Sequence, residues 1–197
     1  MPSKSRWHND MMSITICVFC GSRPGSNPSW STASSQLGSA IAKHGWRLVF
    51  GGGGGGLMGD LARGALASHG NVIGIIPSFL TEAEAVIEDL AELYVVESMV
   101  ARKEMMIELS DVFVVLPGGI GTIEELFEVW TGNHVKAYSK PILIVNLNGF
   151  YDSLLQFTQQ QFDDGFLIER HFSYITVVHT ISEAVTFLQL KARNSVS

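Results

Sequence analysis

The densest chemistry in the chain lies in Pro117-Gly118-Gly119-Ile120-Gly121-Thr122-Ile123-Glu124-Glu125. The apolar run Val112–Leu116 leads in, and a helical pattern from Ile123 to about Val135 leads out. Bare N–H groups at the start of a helix attract an anion, and glycines let it come close. The pattern puts two carboxylates in the first turn. A carboxylate there can hold ribose hydroxyls, activate water, or stabilise positive charge on a ribose ring as a base departs. It can equally do no more than complement the helix N-terminus. Adjacent helical positions diverge by about 100°, so at most one of Glu124 and Glu125 faces the glycines.

A cation is available too. Arg102-Lys103 is the one adjacent basic pair in the chain, inside a helical pattern from Met99 to Leu109. Met99, Val100, Met106 and Ile107 read as its buried side. An arginine can neutralise a phosphate or a leaving group. The alternative is a surface pair bridging Glu104 or Glu108. A second glycine stretch, Gly51 to Gly56, is followed by Leu57-Met58-Gly59. A strand pattern precedes it and a helical one follows, which predicts a phosphate or ligand loop rather than a linker.

Strands and helices alternate around these loops. Apolar runs predict strands at Ile14–Phe19, Trp46–Phe50, Val72–Ile76, Leu93–Val96, Val112–Leu116, Pro141–Asn146 and Ile175–Val178. Helical patterns fall at Pro28–His44, Leu57–Ser68, Met99–Leu109, from Thr122 to about His134, Tyr151–Phe162, and from Thr180 or Ser182 to Ala192. The fold class expected is α/β: a Rossmann-like, doubly wound, mostly parallel sheet of about seven strands with helices on both faces. In such a sheet ligands sit at the carboxyl ends of strands, and the glycine turns follow strands one, two and five. No linker or repeat divides the chain, so residues 13–193 are expected to be one domain. Residues 1–12 read as a flexible tail.

Composition narrows the function classes. The chain has 197 residues and a net charge of −6, with no dense Lys/Arg run. That argues against a nucleic-acid partner. No run reaches membrane-spanning length, and Met1–Met12 lacks a secretory apolar core. Cys17 and Cys20 have C-x-x-C spacing but fall in a strand pattern, on opposite faces. They read as structural thiols in a reducing, cytoplasmic setting. The six His are scattered, and no metal site is expected. The glycine homopolymer fits a dinucleotide fingerprint only trivially, and no ribose-binding acid follows the next strand. Leu57 and Met58 stand where a P-loop needs Lys and Ser/Thr.

The signature Pro117–Glu125 resembles the P-G-G-x-G-T-x-x-E element of the LOG family, cytokinin-activating phosphoribohydrolases formerly labelled lysine decarboxylases. Gly51–Gly59 resembles its G-G-G-x-x-G-L-M-G element, Met99–Lys103 its M-x-x-R-K element, and Phe19-Cys20-Gly21-Ser22 its first-strand turn. The resemblance implies hydrolysis of the N-glycosidic bond of a nucleoside 5′-monophosphate, AMP or an N6-substituted AMP, with no cofactor. It implies Arg102 and Glu125 as the catalytic pair. Gly118, Gly119, Gly121 and Thr122 would hold the phosphate, and Glu124 and Lys103 the ribose and base side. Ser22, Gly53, Met58, Met99, Ile120, Ile123 and Thr131 complete the implied substrate contacts. Many plant members carry Tyr at the position of Ile120. The resemblance also implies a homodimer. A non-catalytic nucleotide-binding protein of the same fold is the competing reading.

Overall fold

The computed structural model describes residues 13–82, 87 and 89–194. The expected tail, and Glu84 and Glu88 of an acidic stretch after the third strand, lie outside the described residues. Seven strands form one sheet: β1 (Thr15–Phe19), β2 (Arg47–Phe50), β3 (Asn71–Pro77), β4 (Glu92–Val96), β5 (Val112–Val115), β6 (Ile142–Val145) and β7 (Ile175–Val178). Their order is β4-β3-β2-β1-β5-β6-β7. Every pairing is parallel, so the sheet is wholly rather than mostly parallel.

The strands at the centre are buried on both faces, as their unbroken β-branched runs require. β1, β5 and β6 are buried throughout. The pleat splits β1 between two cores: Ile16 and Val18 face one, Cys17 and Phe19 the other. Cys20 joins the first core, so the two thiols point to opposite faces and both are unpaired.

Helices cover each face. α1 (Pro28–Lys43), α2 (Gly56–Leu66) and α7 (Ile181–Asn194) pack on the first, through Leu37 and Ile41, Leu57 and Leu61, and Ala184 and Leu188. The second carries α3 (Met99–Leu109), α4 (Ile120–His134), α5 (Asp152–Asp163) and the short α6 (Glu169–Phe172). Asn27 caps α1, its side chain accepting from Ser29 N at 3.0 Å with Pro28 at the first position. Gly45, at φ +70°, turns the chain out of that helix. The pattern did not predict α6, whose four residues are too few to show a helical period.

Two local readings change. Met99 and Val100 are exposed; α3 buries Met106, as expected, together with Arg102. α4 starts at Ile120, ahead of the pattern's Thr122 or Ile123, so its first turn holds no acid. The pattern missed this because Gly119-Ile120-Gly121 carries no helical periodicity.

Candidate active site

The strand order places the topological switch between β1 and β5. One chain half winds outward from β1 to β4, the other from β5 to β7. Loops leaving β1 and β5 therefore diverge to opposite sides and open a crevice at their carboxyl ends. A cavity of about 690 Å³ lies there, lined by Cys20–Gly25 from the first loop and Pro117–Thr122 from the second.

The two loops are tied at glycine. Gly21 N donates to Pro117 O at 3.1 Å. A Cβ on Gly118 would stand 2.1 Å from Thr122 Oγ1 and 2.9 Å from Gly21 N, so only glycine closes this turn. Tyr151 supports it from below, its hydroxyl donating to Leu116 O at 2.7 Å. Beyond the turn, α4 has Gly119 as N-cap and no side-chain cap. Its first backbone bond is Ile123 N to Gly119 O, which leaves the N–H groups of Ile120, Gly121 and Thr122 without an acceptor among the described residues. Three open donors and the positive end of a 15-residue helix dipole face the cavity.

The six-glycine stretch has a different part. None of Gly51 to Gly56, Gly53 included, lines the cavity; Leu57 and Met58, which follow them directly, do. Two first-turn donors of α2 are already committed, because Leu57 N and Met58 N both donate to Gly21 O, at 3.0 and 3.3 Å. The glycines are packing devices. Gly56 has φ +52°, and a Cβ there would reach within 2.5 Å of the Ser22–Arg23 backbone. A Cβ on Gly51 would lie 1.7 Å from Arg102 Nη2. That stretch thus makes room for the arginine.

Arg102 is 7% exposed and stands on the cavity wall. Ser98 fixes the start of its helix, accepting from Ala101 N at 3.1 Å. The guanidinium donates through Nη2 to Gly51 O at 3.1 Å and contacts Met99 Sδ through Nη1 at 3.7 Å. Its Nε is buried without a partner, and Arg102 makes no ion pair among the described residues.

Glu125 shares that wall and has no hydrogen bond or ion pair among the described residues. Burial pushes its carboxyl up to about 7, against the downward pull of Arg102. Glu124 is exposed, and Lys103 ion-pairs with both Glu124 and Glu128. Burial pulls the Lys103 ammonium down, but these two carboxylates outweigh it and hold its pKa above the usual value. The basic pair thus divides: Lys103 locks α3 to α4, and Arg102 faces the cavity. Lys103 bridges across to α4 rather than to Glu104 or Glu108.

Of the residues singled out in the sequence, Ser22, Met58, Met99, Arg102, Gly118, Gly119, Ile120, Gly121, Thr122, Glu124 and Glu125 line the cavity. Gly53, Lys103, Ile123 and Thr131 do not. Lys103 and Glu125 both line a separate small cleft, with Glu128 and Val129. The sequence reading missed Arg23, Trp30 and Phe150. Trp30 and Phe150 meet edge to face on the cavity wall, ring centroids 5.3 Å apart. Both follow strand ends, but neither sits in a glycine motif, so only their position after β1 and β6 could have marked them.

The sequence model of a family described as "Possible lysine decarboxylase" matches residues 58–188. A cytokinin riboside 5′-monophosphate phosphoribohydrolase of Rhodococcoides fascians is 41% identical over 176 residues, 89% of each chain. The chain belongs to the LOG family. Another relative of that name, from Mycobacterium tuberculosis, is 36% identical to this LOG-family chain over 87% of it and 91% of the relative. One from Arabidopsis thaliana is 41% identical over 77% and 70%. Among solved structures, the molybdenum cofactor carrier protein of Chlamydomonas reinhardtii superposes on 90% of the LOG-family chain and 97% of its own, with a TM-score of 0.68. At 23% identity that likeness concerns the fold alone. Among the described residues no helix is long and apolar enough to cross a membrane.

Proposed function

We propose that this chain hydrolyses the N-glycosidic bond of a nucleoside 5′-monophosphate, releasing the free base and ribose 5-phosphate. The substrate is AMP or an N6-substituted AMP. The observation that carries the reading is the pairing of an open helix N-terminus with Arg102 and Glu125 on one cavity wall. The phosphate occupies the N–H groups of Ile120, Gly121 and Thr122, between Gly118, Gly119 and Ser22. The ribose then reaches toward Glu125, and its C1′ faces the carboxylate.

The bond from C1′ to the base nitrogen breaks as positive charge grows on the ribose ring. The Glu125 carboxylate stabilises that charge and takes a proton from the attacking water. The hydroxyl ends on C1′ and the proton on the departing base. Arg102 neutralises the charge that the base acquires as it leaves. Glu124 and Met99 border the ribose and base, and Met58 closes the floor. Lys103 acts by holding Glu124 in place. Water is the only co-substrate, and no cofactor enters.

Residues 13–193 work as one catalytic domain, cytoplasmic and paired as a homodimer. The exposed apolar residues Met99, Val100 and Ile120 on α3 and α4 support the pairing. Ile123 and Thr131, which lie off the cavity wall, are on the same α4. AMP, GMP, CMP and isopentenyl-AMP incubated separately with the protein, with products separated by chromatography, test the reading. Free base from at least one purine nucleotide is expected. Saturable binding of all four with no base released on long incubation identifies a nucleotide carrier and overturns the proposal.

A further inference from the structure

We propose that Arg23 is a second cation of the phosphate site, closing the α4 anion cradle from the opposite loop. The inference rests on the reading above that a 5′-phosphate occupies the cradle. Arg23 lies on the cavity wall in the loop after β1, between Ser22 and Pro24. Its backbone position is fixed from two sides. A Cβ on Gly56 would come within 2.5 Å of Arg23 N, and one on Gly21 within 3.0 Å of Arg23 O. Gly21 is the residue that ties this loop to Pro117, at the head of the α4 turn. Arg23 thus stands two residues from the tie and lines the same cavity as Ile120 to Thr122.

The charges on the wall leave this role open to it. Arg102 has an Nη2 donor committed to Gly51 O, and Glu124 is held by Lys103. Arg23 is exposed, and its side chain has no hydrogen bond or ion pair among the described residues. Two arginines on the wall face two glutamates, so the side chains supply no surplus positive charge for a dianion. The helix terminus contributes about half a charge. Arg23 is the cation with its full fork of donors unspent, and a guanidinium matches phosphate oxygens two at a time. At the rim of a protein whose net charge is −6, it also offsets the repulsion an approaching anion meets.

The test is direct binding to the full chain by calorimetry, with ribose 5-phosphate and adenosine as probes, for wild type, Arg23→Ala and Arg23→Lys. Loss of one charge-assisted contact predicts ribose 5-phosphate affinity down about 10- to 100-fold in Arg23→Ala. The Lys variant should recover part of it, and adenosine affinity should move less than about twofold. Raising the salt should weaken ribose 5-phosphate binding to wild type more than to Arg23→Ala. In turnover of AMP the loss should fall on KM rather than kcat. Unchanged ribose 5-phosphate affinity in Arg23→Ala overturns the assignment even if the chain hydrolyses AMP. An equal loss for adenosine does the same, since it would mean a general distortion of the loop. If wild type binds ribose 5-phosphate and Arg23→Ala does not, the assignment holds even when no nucleotide is hydrolysed, and only the catalytic reading falls.

Discussion

Glu125 is the group that the proposed hydrolysis places against the reacting ribose carbon. Its carboxyl titrates near 7 because burial disfavours the charge more strongly than Arg102 favours it. If the ionised form is the working form, kcat/KM rises about tenfold per pH unit below that value and flattens above it. Glu125→Gln should remove this limb and lower kcat about 100-fold or more. The same shift has a stability consequence. A carboxyl whose folded pKa exceeds its unfolded value of 4.5 contributes stability that is fully present below pH 4.5 and lost as pH rises through about 7. Glu125→Gln should therefore be more stable than wild type at pH 8, by about 1–3 kcal/mol, with no difference below about pH 4.5. Denaturant titrations at the two pH values check this. A site that costs stability for an acid at the right pKa fits a catalytic group better than a helix-terminus partner.

At the scale of elements, the site is made by close approaches that only glycine allows. Gly51→Ala would place a methyl 1.7 Å from Arg102 Nη2 and push the guanidinium off its Gly51 carbonyl. It should lower kcat about tenfold or more while far-UV circular dichroism keeps its native form. Gly118→Ala should displace Thr122 and the first turn of α4, raising KM for the nucleotide through the phosphate. Most of the elements were legible in the sequence. β-branched runs and helical periods located all seven strands and six helices, because burial on two faces and on one stripe write different periods. What was not legible follows from the same physics. Glycines have no periodicity, so α4 starts two or three residues ahead of its visible helical pattern. A buried arginine mimics a polar surface position, so α3 appeared to bury Met99 and Val100. The long glycine run resembled a phosphate loop, yet the phosphate-type donors belong to the shorter turn after β5. Arg23, Trp30 and Phe150 reach the cavity through tertiary packing that no local pattern records.

For the whole molecule, the parallel sheet with its switch between β1 and β5 explains why residues about a hundred positions apart share one wall. The exposed Met99, Val100 and Ile120 lie on helices that border this wall. Sedimentation should give twice the 21.5 kDa chain mass, and Val100→Glu should shift it toward the single chain. A single-chain mass for the wild type would contradict the homodimer. In the proposed reaction Arg102 and Glu125 together break a nucleotide's glycosidic bond. This is tested most directly by following AMP with wild type, Arg102→Ala and Glu125→Gln, and assaying adenine and ribose 5-phosphate together. Wild type should give equal amounts of the two products, and both variants should be at least about 100-fold slower with the fold intact. Adenosine and inorganic phosphate as products, or wild-type rates in either variant, would contradict the proposed reaction.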